Sequence, residues 1–244
     1  MSGYCTVVTG AAGGIGRAVV ARLFAAGEKV VAADLDGALL EKTFAGNPDV
    51  CCVACDLAAD DGFKQLVSEI SARFDGVKGF VHAAGIDMAA PLGMVSTEVM
   101  QRLFAIHAAF PVRFLGWMAK ASNHASGAAA VLVSSLSAHE GAKGHVAYAA
   151  AKGAVEGFLR PAAAELVDRG IRLNAVVLGV VDTAMSRRWM EKLPPERMDE
   201  LRRGYPLGIG SPEDVAGAVS FLLSPDSAWI TGQTIVCDGG HSLA

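Results

Sequence analysis

Short runs of β-branched and apolar residues alternate along the chain with longer stretches whose apolar positions recur every three or four residues. The strand-like runs fall at 5–8, 29–33, 50–55, 79–82, 129–133, 171–177 and 234–237. Several are apolar on consecutive residues, the pattern of a strand covered on both faces. Helical periodicity occupies 15–26, 37–45, 59–74, 96–122, 146–169 and 212–223. This alternation predicts an α/β fold: a doubly wound parallel sheet with helices on both faces. Pro161 lies inside the 146–169 stretch and predicts a kink there, beyond the helix's first turns. Residues 182–210 break the alternation. They are rich in charge, contain Pro194-Pro195 and end at Gly208 and Gly210, as expected of a lid over a site. With no repeat, low-complexity tract or flexible linker, 1–244 reads as one domain.

Composition narrows the function classes. Hydrophobic residues make up 52% and charged residues 19% of 244, which suits a packed globular protein. Lys and Arg total 21 against 25 acidic residues, so no basic excess favours a nucleic-acid partner. Residues 1–20 carry no basic leader, and glycines from Gly10 to Gly16 interrupt the apolar run. Neither a signal peptide nor a membrane span is expected. The five cysteines, Cys5, Cys51, Cys52, Cys55 and Cys237, include one C-x-x-C with no second pair or nearby histidine. They read as buried strand thiols in a reducing cytoplasm, with no metal site.

The first strand runs into Thr9-Gly10-Ala11-Ala12-Gly13-Gly14-Ile15-Gly16, and a helix follows. Glycines allow a tight turn and close backbone approach, and the helix N-terminus favours a pyrophosphate. Alone, such a loop is equally an ordinary glycine-rich turn. Twenty positions after Gly14, Asp34 ends the second strand. A carboxylate there can accept from both ribose hydroxyls of NAD and repel the 2′-phosphate of NADP. No basic residue stands at 11–13 or just after Asp34 to offset that repulsion. The alternative for Asp34 is a surface cap of the next helix.

Ser135 ends the fifth strand, Tyr148 follows thirteen residues later, and Lys152 stands four beyond it. Residues i and i+4 share a helix face. An ammonium beside a phenol favours phenolate, which predicts a lowered Tyr148 pKa and acid/base strength near neutral pH. The Ser135 hydroxyl would hold a substrate oxygen. By itself, Tyr-x-x-x-Lys is also common on exposed helix faces.

Taken jointly, these motifs resemble the short-chain dehydrogenase/reductase family over nearly the whole chain. The glycine loop, Asp34, Asp56-Leu57, Ala84-Gly85, Ser135, Tyr148 and Lys152 carry the resemblance. So do Ile171-Arg172-Leu173-Asn174, Gly179-x-x-x-Thr183, Thr231-Gly232-Gln233 and Asp238-Gly239-Gly240. The resemblance implies a seven-stranded Rossmann-type sheet and a bound nicotinamide cofactor. It implies Tyr148 as acid/base, Lys152 as its modulator and ribose binder, and Ser135 as substrate orienter. Cofactor contacts are implied at Gly10, Gly14, Ile15, Gly16, Asp34, Asp56, Leu57, Ala83, Ala84, Gly85, Tyr148, Lys152, Val181 and Thr183. Asp56 and Leu57 would lie at the adenine, and Val181 and Thr183 at the nicotinamide carboxamide and phosphate. Twofold-symmetric tetramers are implied as well.

Three positions depart from the family pattern. Ala83 stands where asparagine is usual, Leu178 replaces a proline before Gly179, and His107 replaces an asparagine whose main-chain carbonyl holds a relay water. The substrate walls are expected at 86–95, 136–145 and 182–210, from Met88, Leu92, Leu136, Met185, Trp189 and Met190. His139, Glu140, Lys143 and His145 are polar candidates. Arg187, Arg188, Arg197, Arg202 and Arg203 are either a solvated face or a landing site for an acidic carrier. The expected function is NAD-dependent interconversion of a secondary alcohol and a ketone. A 3-oxoacyl-thioester reductase and a non-catalytic dinucleotide-binding protein are the alternatives.

Overall fold

A computed structural model describes residues 3–243. Seven parallel strands lie in the order β3-β2-β1-β4-β5-β6-β7. They are β1 Cys5–Thr9, β2 Val30–Asp34, β3 Val50–Ala54, β4 Val77–His82, β5 His124–Ser135, β6 Arg172–Leu178 and β7 Thr234–Cys237. The consecutive apolar runs have the cause inferred from sequence. Along β1, Cys5 and Val7 enter the core on one face, and Val8 enters the core on the other. In β2, Val31 and Ala33 alternate in the same way with Val30 and Ala32.

The helices are α1 Gly14–Ala25, α2 Gly37–Phe44, α3 Asp60–Arg73, α4 Thr97–Phe104, α5 Phe110–Met118, α6 Val146–Val167, α7 Ala184–Met190, α8 Pro195–Arg203 and α9 Pro212–Leu223. The expected single helix over 96–122 is α4 and α5 joined by a π-turn, Ala105–Ala109. Helix α6 runs through Pro161 unbroken. Pro161 and Gly157, whose carbonyl loses its partner, both lie on the exposed face, so that carbonyl is not buried without a donor. Strand β5 begins at His124, earlier than its apolar stretch, because His124 pairs with Val77 across a register shift.

The chain reverses its direction of travel across the sheet between β3 and β4, so the crevice beyond the carboxyl ends of β1 and β4 is the switch point. Thr9 and His82 pair at that edge. Residues 182–210 form α7 and α8, closed at the base by a bridge between Val181 and Gly210. All five cysteines are free thiols. Burial pushes Cys5 up to about 12 and Cys55 up to about 11, which makes both poor nucleophiles. Among the described residues, no helix is long and apolar enough to cross a membrane.

Candidate active site

The glycine loop fills the switch point. Gly10 has φ +69°, and a Cβ there would come within 2.6 Å of the Ala84 backbone. Thr9 O accepts from Ala83 N at 3.2 Å, so the loops after β1 and β4 are laced together. Helix α1 starts at Gly14 with Gly13 as N-cap and no side-chain cap, leaving its first N–H groups open. A Cβ on Gly14 would meet Thr183 Cγ2 at 2.9 Å, so the loop faces the start of α7. Thr183 caps α7 in a reciprocal arrangement with Ser186.

Asp34 lies beside this loop and is not a helix cap; Asp36 caps α2 instead. The Asp34 carboxylate accepts from Ala12 N at 3.0 Å and from Asp36 N at 3.2 Å. Asp56 accepts from Ala58 N at 2.9 Å, and Arg102 of α4 approaches it at 3.9 Å. Open helix N–H groups, a cradle with no room for side chains and a fixed carboxylate fit a nicotinamide dinucleotide. Gly10 lies against Ala83 and Ala84, Gly14 lies against Thr183, and Ile15, Ala83 and Val181 share one apolar cluster, whereas Gly85 faces His107.

Ser135, Tyr148 and Lys152 converge at the far side of the crevice. Ser135 ends β5 opposite Leu178 and caps the turn Leu136–Ala138, accepting from Ser137 N at 3.2 Å. Tyr148 and Lys152 lie one turn apart near the start of α6. Lys152 is buried and donates from Nζ to Val133 O at 2.8 Å, with Nζ 5.7 Å from the Tyr148 ring centre. Burial lowers Lys152 to about 7. The expected lowering of the Tyr148 pKa is not found. Burial raises it, the Asp87 carboxylate adds to the rise, and only the Ser135 hydrogen bond opposes it. The reason is geometric. Lys152 Nζ is directed to Val133 O and makes no hydrogen bond to the phenol, and burial weakens its own charged form, so nothing from Lys152 offsets the desolvation of Tyr148.

His107 stands in the π-turn, 1% exposed. Its Nε2 lies 3.0 Å from Ile86 O, to which it donates when it carries the ring proton, and 3.4 Å from Ile86 N, from which it accepts in the other tautomer. Nδ1 has no partner. The ring meets Tyr148 edge-on at 5.6 Å, and Gly85 leaves room for it. Burial and the nearby Lys152 lower His107 to about 2, so it is neutral at any working pH.

The sequence reading missed two residues. His82 receives the Thr9 hydroxyl at 2.9 Å and donates to Ile106 O at 3.0 Å, which ties the glycine loop to the π-turn. Its place just before Ala83 was the available signal. Asp87, which acts on Tyr148, was hidden among the residues of a loop assigned only apolar walls. Next to Ser135, a cleft of about 620 Å³ is lined by Leu136, His139, Glu140, Gly204, His241 and Ser242. Met88, Leu92 and Met185 are exposed, whereas Met190, at the end of α7, is buried. Arg187, Arg197 and Arg202 pair with Asp182, Glu200 and Asp199 of the same segment, which favours the solvated-face reading for them.

The sequence model of a family described as enoyl-(acyl carrier protein) reductase matches residues 10–242. A rat (3R)-3-hydroxyacyl-CoA dehydrogenase (Rattus norvegicus) is 34% identical, over 96% of this chain and 94% of its own. The chain belongs to the short-chain dehydrogenase/reductase family. The crystal structure of a family member from Brucella melitensis, described as a glucose/ribitol dehydrogenase, superposes with TM-score 0.90 at 32% identity, over 99% and 97% of the two chains. A blue fluorescent protein from a metagenomic library, solved with NADPH, matches with TM-score 0.87 at 31% identity, over 99% and 98%. As a short-chain dehydrogenase/reductase, the protein is an oxidoreductase of alcohols and ketones served by a nicotinamide dinucleotide. The expected Rossmann-type seven-stranded sheet is observed.

Proposed function

We propose that the protein interconverts a secondary alcohol and a ketone with NAD(H) as its preferred cofactor, 1–244 acting as one dinucleotide-binding and catalytic domain with 182–210 as its lid. The convergence of Tyr148, Lys152 and Ser135 beside the glycine crevice carries this reading. When bound, the dinucleotide supplies the hydride acceptor or donor. Gly10, Gly14, Ile15 and Gly16 hold its phosphates, and Asp34 its adenosine ribose. Asp56 and Leu57 flank the adenine; Ala83, Ala84, Gly85, Val181 and Thr183 border the remainder. Ser135 holds the substrate oxygen, and Tyr148 takes the hydroxyl proton in oxidation and returns it in reduction. Lys152, titrating near neutrality, moves that proton onward and binds the nicotinamide ribose.

The preference for NAD rests on Asp34. A 2′-phosphate about 4 Å from the carboxylate costs on the order of 1 kcal/mol in water and more when partly buried. Losing ribose hydrogen bonds to a charged acceptor adds roughly 1.5–3 kcal/mol. The similarity to a 3-hydroxyacyl-CoA dehydrogenase favours a 3-hydroxyacyl or 3-oxoacyl thioester as the second reading of the substrate. The reading includes a cytoplasmic homotetramer, supported by the small residues Ala149, Ala150, Gly153 and Ala154 on α6, which permit close helix pairing.

A panel of secondary alcohols, 3-hydroxyacyl thioesters included, is incubated with NAD or NADP and followed by absorbance of the reduced cofactor. Turnover with NAD is expected, with kcat/KM at least about a hundredfold above that with NADP. Asp34→Ala narrows the gap mainly by weakening NAD. Equal or better turnover with NADP shows that Asp34 does not face the ribose.

A further inference from the structure

After β7 the chain turns back on itself. Gly239 and Gly240, left-handed at φ +62° and +86°, make the reversal, and the Asp238 carboxylate accepts from Gly240 N at 2.9 Å and Ser242 N at 2.8 Å. The turn delivers His241 to the wall of the cleft next to Ser135. There His241 Nδ1 lies 2.6 Å from Gly204 O, at the end of α8, and Nε2 lies 3.1 Å from Glu140 Oε1. A carbonyl and a carboxylate only accept, so both ring nitrogens carry protons when both bonds are made. The ring in this arrangement is an imidazolium. A neutral ring keeps only one of the two partners.

Both ends of this contact lead to the site. Glu140 N donates to Leu136 O at 2.9 Å, so Glu140 continues the turn that Ser135 caps. On the other side the His241 ring stacks on Tyr205, with centroids 4.4 Å apart and planes 12° from parallel. The Tyr205 hydroxyl accepts from Val180 N at 2.9 Å. Three residues further on, Thr183 lies against Gly14 of the glycine loop.

We propose that His241 is a positioning residue: as a charged clasp between Glu140 and Gly204, it fixes the turn that begins at Ser135 against the segment that reaches the glycine loop through Tyr205 and Val180. This rests on the oxidoreductase reading of Ser135. The ionisable groups facing the ring are Glu140 from the loop after β5, the Tyr205 phenol after α8 and Asp238 of its own tail; His139, on the same cleft, is paired with Glu156 of α6 at 2.9 Å. Raising the pH takes one proton from the ring and with it one of the two bonds, so the clasp opens on the alkaline side. Opening slackens the hold of Ser135 on the substrate oxygen and leaves Tyr148 and Lys152 in place on α6.

The test measures hydrogen–deuterium exchange over 136–145 at pH 6 and pH 9, each relative to the unfolded chain at the same pH, in the unmodified protein, His241→Phe and Glu140→Gln. Phenylalanine keeps a ring on Tyr205 and removes both donors. Glutamine offers an N–H to a neutral Nε2 and an oxygen to a charged ring, so it holds the clasp in either state. The unmodified protein is expected to be protected about tenfold more at pH 6 than at pH 9, His241→Phe to be weakly protected at both, and Glu140→Gln to be well protected at both. Equal protection of the unmodified protein at the two pH values overturns the clasp, as does a Glu140→Gln variant that exchanges like His241→Phe. Should His241→Phe not fold, the pH dependence and its removal by Glu140→Gln still decide. With NAD and either cyclohexanol or ethyl 3-hydroxybutyrate, His241→Phe is expected to raise KM about tenfold with kcat within about threefold. A fall in kcat at unchanged KM overturns the positioning role. Turnover of neither alcohol by the unmodified protein counts against the oxidoreductase reading, while the exchange measurement still decides the clasp.

Discussion

Lys152 and Tyr148 illustrate what a residue's neighbours do to its chemistry. Their spacing on a helix face was legible in the sequence, as was the placement of Ser135 at a strand end. The direction of the Tyr148 shift was not, because desolvation depends on packing from Ile86, Leu103 and other residues distant in sequence. His107 was visible as a departure, but its state was not. Only the fold shows it buried and neutral, with Nε2 held against the Ile86 backbone. A neutral imidazole fixed to a carbonyl is a poor proton carrier. His107→Asn should therefore keep turnover within about tenfold, a barrier change of about 1.4 kcal/mol. Steady-state kinetics check this, and a thousandfold loss would place the ring in the proton path.

At the level of elements, the strands were legible because burial on both faces leaves consecutive apolar runs. The break between α4 and α5 was not, since a single π-turn inserts a residue without disturbing apolar content. That insertion presents Ile106 O to His82 and His107 to Tyr148, so the least legible element is the one that shapes the site's floor. The glycine loop was legible in position and cause. Gly10 combines a left-handed φ of +69° with backbone contact at 2.6 Å. Gly10→Ala should cost at least about 1–2 kcal/mol from the dihedral alone. A fall in Tm of roughly 4 °C or more is expected, with NADH affinity weakened alongside. Thermal unfolding with and without NADH measures both. An unchanged Tm would show that the loop can relax away from Ala84.

For the whole molecule, the buried imidazoles set the acid limit of stability. In the unfolded chain, histidine takes up a proton near pH 6.5, whereas folded His82 and His107 resist until about 3 and about 2. Below pH 6.5 the unfolded chain binds more protons, so stability falls as pH drops; above 6.5 both forms are neutral and the effect vanishes. Each histidine contributes a slope of about 1.4 kcal/mol per pH unit in that window. Denaturant unfolding at pH 5 and 7 should show the loss, and His107→Asn should make it shallower; an equal slope would mean His107 is not buried as described. Hydride transfer with Tyr148 as the proton carrier is tested most directly by Tyr148→Phe, which keeps the ring and removes only the hydroxyl. Turnover of a secondary alcohol with NAD should fall by about 10³-fold, while NADH binds with unchanged affinity because the glycine loop and Asp34 are untouched. A variant that keeps a tenth of the original turnover would contradict the assignment.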